Sequence, residues 1–152
     1  MIRILFVCHG NICRSPMAEY VFNDMARKRG LAERFHADSA ATSREEIGNG
    51  IYPPAARKLR AEGVPMYPHA ARQITHADYE RYDYLIGMDA ANRRNMRLAF
   101  NMDPKGKVFN LLEFTGSTAD IADPWYTDDF DATYRDVTRG CEALIGYLLR
   151  GK

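Results

Sequence analysis

The sequence predicts an α/β protein built on a parallel sheet. Three observations point there: a short apolar run opens the chain, strand-like and helix-like segments alternate after it, and an amphipathic helix closes it. The opening run, Ile2–Val7, carries one charge, Arg3, as expected of a strand buried on both faces. Parallel neighbours then require right-handed crossovers.

The elements follow in order. After Val7 comes a loop, Cys8-His9-Gly10-Asn11-Ile12-Cys13-Arg14, and then Ser15-Pro16. Ser before Pro is a helix-start signal, which predicts Ser15 as N-cap and Pro16 at the first helical position. Met17, Tyr20, Val21 and Met25 keep helical spacing as far as Gly30, a residue suited to end a helix. Residues 35–40 read as a second strand and 42–50 as a polar surface loop. Pro53 and Pro54 open a helix carrying Ala56 and Leu59 and stopping near Gly63. Residues 64–75 are irregular, and 77–81 are a helical turn. Residues 82–88 (YDYLIGM) read as a third strand, followed by a helix capped by Asp89 and running to Leu98. A short fourth strand is expected over 107–111 and a long Asp-, Thr- and Gly-containing loop over 115–129. Tyr134, Val137, Cys141, Leu144, Ile145 and Leu148 recur at three and four in a closing helix over 130–149.

Size and composition bound the function. At 152 residues and 17.3 kDa, one domain spanning 1–152 is expected. With 46% hydrophobic and 27% charged residues the chain can bury a sizeable core. Its net charge of +1 argues against general nucleic-acid binding. No apolar run approaches the ~20 residues needed to cross a bilayer. The N-terminus reads as a strand rather than a signal peptide. Three cysteines make neither a disulfide scaffold nor a four-ligand zinc site. A reducing cytoplasm, a monomer, and no cofactor or metal are the expectations.

In open α/β sheets, ligands bind beyond the carboxyl ends of the strands, where the loop at Cys8 and the loop over 115–129 are placed. The amides of the first loop, closed by a helix N-terminus, can cradle an anion, with Gly10 easing the backbone. No Gly-Lys-Ser/Thr ending follows, so magnesium–nucleotide chemistry is not expected. The cradle instead starts with a thiol and ends with a guanidinium. Arg14 can grip two phosphoryl oxygens in a fork. Amides, helix terminus and Arg14 all favour a thiolate on Cys8, whose attack forms a phosphocysteine that water then hydrolyses. Buried free cysteine is usually mere packing. Here the match is longer than C-x5-R: it is C-x-G-N-x-C-R-S between a strand and a helix. A leaving-group oxygen needs a proton, and Asp123-Pro124-Trp125-Tyr126 offers a carboxyl that flanking aromatics bias toward its protonated form. Asp128, Asp129 and Asp131 read as a solvated acidic loop.

Together these residues resemble the low-molecular-weight protein tyrosine phosphatases. The likeness extends through DSAATS at 38–43, EIGN at 46–49, HAARQIT at 69–75 and MDAAN at 88–92. It implies a flavodoxin-like three-layer sandwich, a four-stranded parallel sheet with helices on both faces. It makes Cys8 the nucleophile, Arg14 the phosphate clamp and Asp123 the general acid and later base. Residues 8–15 (Cys8, His9, Gly10, Asn11, Ile12, Cys13, Arg14 and Ser15) would hold phosphate or a similar oxyanion. Ser15 would bond the thiolate, and Asn11, supported by Ser39 and His69, would hold the loop in a strained shape. Cys13 would form a reversible disulfide with Cys8. Trp125 and Tyr126 would wall a deep slot selecting phosphotyrosine in a protein or peptide. The loop after Thr42 often supplies an opposing aromatic wall; here it has Arg44 and Glu45, and an acid there weakens aromatic sandwiching. His9 replaces an apolar residue and adds polarity at the mouth.

Other residues read as structural. His36 and His76 have no metal-ligand spacing, Cys141 lies on an apolar stripe, Arg27-Lys28-Arg29 closes a helix, and Arg93, Arg94 and Arg97 form a solvated helix face. Three other functions compete. A thiol-dependent arsenate reductase needs further shuttling cysteines, and none lies between Cys13 and Cys141. Protein-arginine phosphatases of the same family tend to have Thr where this chain has Ile12. A non-catalytic phosphate-binding module needs neither Cys8 nor Asp123.

Overall fold

The computed structural model describes residues 1–151. Four parallel strands, β1 (Ile2–Cys8), β2 (Phe35–Ala41), β3 (Tyr84–Gly87) and β4 (Val108–Asn110), form one sheet in the order β2-β1-β3-β4. The central strand β1 alternates its apolar side chains between two cores. Ile4, Phe6 and Cys8 join the larger core under α1 (Arg14–Lys28), α2 (Pro53–Ala61) and α6 (Phe130–Leu149). Leu5 and Val7 face the smaller one, closed by Tyr79 of α3 (His76–Arg81) and Met96 of α4 (Ala90–Ala99). Helices therefore cover both faces of the sheet, as predicted. No helix among the described residues is long and apolar enough to cross a membrane.

The sheet order reverses beside β1, so the loops after β1 and β3 leave in opposite directions and open a crevice between them. That crevice positions the site.

Several element ends differ from expectation because distant partners claim the backbone. β3 covers 84–87, not 82–88: the Tyr82 amide ends α3 on the Asp78 carbonyl. The Met88 amide donates to Asn92 Oδ1 (3.1 Å), and its carbonyl accepts from the Ile121 amide. β4 is shorter too, because Leu111 begins a 3-10 turn that runs to Thr115. Within the long loop, Asp123 caps a four-residue helix, α5 (Pro124–Thr127). Asp129 is more than a solvated loop residue, because it caps α6 by accepting from the Ala132 amide, whereas Asp131 stays at the surface, 85% exposed, with a pairing to Lys58 at 2.8 Å. His36 likewise pairs with Asp38 at 3.1 Å.

Candidate active site

The loop between β1 and α1 turns through Asn11, whose φ of 60° is left-handed and strained for a residue with a side chain. Every polar group of Asn11 is engaged. Its Nδ2 donates to Ser15 Oγ (2.8 Å) and Ser39 Oγ (3.0 Å), and its Oδ1 accepts from the Arg72 amide (3.2 Å). Its carbonyl accepts from His69 Nε2 at 2.7 Å, which sets the His69 tautomer. Ser39 donates in turn to the buried Glu19 carboxylate at 2.6 Å. Ser15 is not the N-cap that the Ser-Pro signal predicts. The helix starts two residues earlier than that signal implies, at Arg14, with Cys13 as an N-cap that makes no side-chain bond. The Ser15 hydroxyl points back into the loop, 3.1 Å from Cys8 Sγ.

Cys8 is buried at the end of β1, and its sulfur accepts from the Asn11 amide at 3.3 Å. Arg14, 2% exposed, brings its guanidinium to the same place. Its Nη1 donates to Asp89 Oδ2 (2.7 Å) and the Ile121 carbonyl (2.9 Å), and Nη2 lies 3.4 Å from Asp123 Oδ2. Burial opposes the charge on Arg14, but Cys8, Asp89 and Asp123 outweigh it and raise its pKa. Its Nε is buried and has no partner among the described residues. An unpaired buried donor is costly unless an acceptor arrives. Burial, with the nearby Cys8 and Asp123 charges, pushes the Cys13 thiol up to about 12.

A cleft of about 130 Å³ opens above the loop, lined by Cys8, His9, Gly10, Ile12, Cys13, Arg14, Glu45, Glu46, Asp123, Trp125 and Tyr126. Asn11 and Ser15, placed by the sequence among the phosphate-binding residues, are fully buried behind it and do not line it. The side opposite Trp125 is polar. His9 Nε2 bonds the Glu45 carboxylate, and the Ser43 amide donates to the His9 carbonyl at 3.1 Å, tying that loop to the cradle. Trp125 rests on Tyr52, ring centroids 4.9 Å apart, while Tyr126 is 83% exposed. Asp123 divides its oxygens: Oδ1 accepts from the Trp125 amide at 3.1 Å, and Oδ2 faces Arg14.

Four contributors escaped the sequence: the Asp89 bond to Arg14, the Ile121 carbonyl, Glu46 and Tyr52. Asp89 and Glu46 lie in the quoted MDAAN and EIGN segments; nothing local signals the other two. No group of three His, Cys, Asp or Glu side chains able to hold a metal occurs among the described residues.

The family model for low molecular weight phosphotyrosine protein phosphatase matches residues 3–152. The chain belongs to that family. The low molecular weight protein-tyrosine-phosphatase YfkJ of Bacillus subtilis is 38% identical over all of this chain and 99% of its own. Its crystal structure superposes with a TM-score of 0.96, covering 100% of this chain and 97% of that one. The human low molecular weight phosphotyrosine protein phosphatase is 40% identical over 93% of this chain and 92% of its own. A Drosophila arginine phosphatase of the same fold matches at 28% identity and a TM-score of 0.86, covering 97% of this chain and 98% of that one. The chain is thus a phosphatase of phosphoprotein substrates, in a family that works through a phosphocysteine.

Proposed function

We propose that this phosphatase hydrolyses phosphotyrosine in proteins or peptides with Cys8, Arg14 and Asp123 as its reacting groups. In the first step the Cys8 thiolate attacks phosphorus in line, the P–O bond breaks, and the departing phenolic oxygen takes a proton from Asp123. In the second, Asp123 accepts a proton from water, whose oxygen attacks phosphorus. The P–S bond then breaks, releasing phosphate and restoring the thiolate. Arg14 stabilises the equatorial oxygens in both steps. The observation that carries this reading is Arg14 Nε, a buried donor without a partner among the described residues, on a side chain that lines the same cleft as Cys8. A phosphoryl oxygen supplies the missing acceptor. The residue 8–15 loop would hold the phosphate, with Asn11, Ser15, Ser39 and His69 keeping its shape. If peroxide oxidises Cys8 to a sulfenic acid, Cys13 would condense with it, releasing water and forming a disulfide that blocks further oxidation and that a dithiol reduces back to two thiols. Free thiols at all three cysteines fit a reducing cytoplasm.

The test is a pair of substitutions. Cys8→Ser should abolish turnover of an aryl phosphate while phosphate still binds; normal turnover removes Cys8 from the role. Asp123→Ala should slow phosphotyrosine at least tenfold more than a phosphate ester with an acidic leaving group. Equal losses would take the proton-transfer role away from Asp123. Glu45 and Glu46 at the mouth favour one second reading, because carboxylates there can pair with a guanidinium. Turnover of phosphoarginine against phosphotyrosine peptides decides between them.

A further inference from the structure

A second groove, about 380 Å³ in volume, lies along α4, away from the phosphate cradle. Arg93 and Arg97, and Arg94 and Leu98, stand four residues apart on that helix and line it. Met102 joins them from the turn that follows. Its acidic lining residues are already engaged. Glu113 bonds Arg93 at 2.8 Å and the Asn110 amide at 3.2 Å, and Asp120 accepts from the Ala90 amide at 3.0 Å. Arg94 and Arg97 make no salt bridge among the described residues, although Arg97 reaches Asp103 at longer range. Two exposed cations thus border the groove.

Its apolar side is equally unusual. Leu98 is 65% and Met102 54% exposed, two large hydrophobic side chains in one concavity. Met102 sits in a run of three non-glycine residues with left-handed backbone: Asn101, Met102 and Asp103, with φ of 54°, 62° and 59°. Such residues are individually unfavourable and persist only where surroundings over-determine them. Asp103 supplies that constraint, accepting from Tyr79 Oη (2.6 Å) and the amides of Lys107 (2.8 Å) and Val108 (3.1 Å). The fold holds Met102 out of the core and at the groove.

We propose that this groove docks an acidic polypeptide segment that inserts an apolar side chain between Leu98 and Met102 while its carboxylates pair with Arg94 and Arg97. Charge complementarity selects that partner and this location. The rim of the cradle carries Glu45, Glu46 and Asp123, whereas the α4 groove presents Arg94 and Arg97 to a carboxylate-rich segment. The apolar pair distinguishes it from a bare polyanion.

The test uses a fluorescent hexapeptide, Glu-Leu-Glu-Glu-Leu-Glu, in anisotropy titrations at low salt with the whole protein. Saturable binding is expected, weakened at least fivefold in both Arg94→Glu/Arg97→Glu and Leu98→Ser/Met102→Ser. Both variants should melt as the parent does and keep its aryl phosphate turnover, which separates this outcome from any failure of the catalytic reading. The proposal is overturned by absent binding, or by a smaller loss in either variant. Hexaglutamate binding equally well would also overturn it, as would a short oligonucleotide displacing the peptide with higher affinity.

Discussion

Asp89 shows how one side chain serves two structures. Oδ1 accepts from the Asn92 amide at 2.8 Å and caps α4, while Oδ2 holds Arg14 at 2.7 Å. Asp89→Asn keeps a good cap but removes the charge facing Arg14. With Oδ1 still capping, the new Nδ2 meets Arg14 Nη1 donor to donor, so we expect a measurable loss of stability together with at least a tenfold fall in kcat/KM. Asp89→Ala should lose about 1 kcal/mol of stability as well. Equal activity in parent and Asn variant would show that Arg14 is positioned without Asp89. At Asn11 the left-handed backbone is supported by four hydrogen bonds, so Asn11→Ala should depress turnover even if the chain still folds. Steady-state kinetics beside a thermal melt separates the two effects. The cap on Asp89 was legible in the sequence, because a cap is local. Its second bond was not, because Arg14 lies 75 residues away.

Helix α6 approaches the 3-10 turn through Gly140, where an added Cβ would stand 2.4 Å from Leu111 Cγ. Gly140→Ala should therefore force the two elements apart, despite the better helix propensity of Ala. Overpacking of this kind costs about 1–3 kcal/mol, lowering Tm by about 2–4 °C for each kcal/mol at this size. An unchanged Tm would mean that Leu111 finds another rotamer freely. Hydrophobic period made the elements readable: Ile2–Val7 as a two-sided strand and the stripe from Tyr134 to Leu148 as a helix. Their ends were less readable. β3 stops at Gly87 because Met88 bonds Asn92 and Ile121, and Ser15 fails as a cap because its hydroxyl turns to Cys8. In both cases tertiary partners outweigh a local signal.

Across the molecule, several acidic protons are held tightly by burial. Burial raises Cys13, Tyr20 and Tyr82 to about 12, with Cys8, Glu19 and Asp38 respectively adding to it, and burial also pushes Cys141 up. Unfolded Cys and Tyr titrate near 8.5 and 10. Below about pH 8.5 both states keep these protons, and their contribution to stability is fully present. As pH rises the unfolded chain releases them first, so stability falls progressively until the folded groups titrate near 12. Urea midpoints measured from pH 8 to 11 should decline steadily; a flat profile would contradict this. The parallel architecture and the thiol–guanidinium cradle were visible in the chain. The acidic side of the mouth was visible only as Glu45, since its tie to His9 depends on how two loops meet. The shared carboxylate of Asp89 also makes the first turn of α4 a sensor. When an oxyanion loads Arg14, that carboxylate stiffens, and the Asn92 amide should trade its deuterium for solvent hydrogen more slowly, although it never touches the anion.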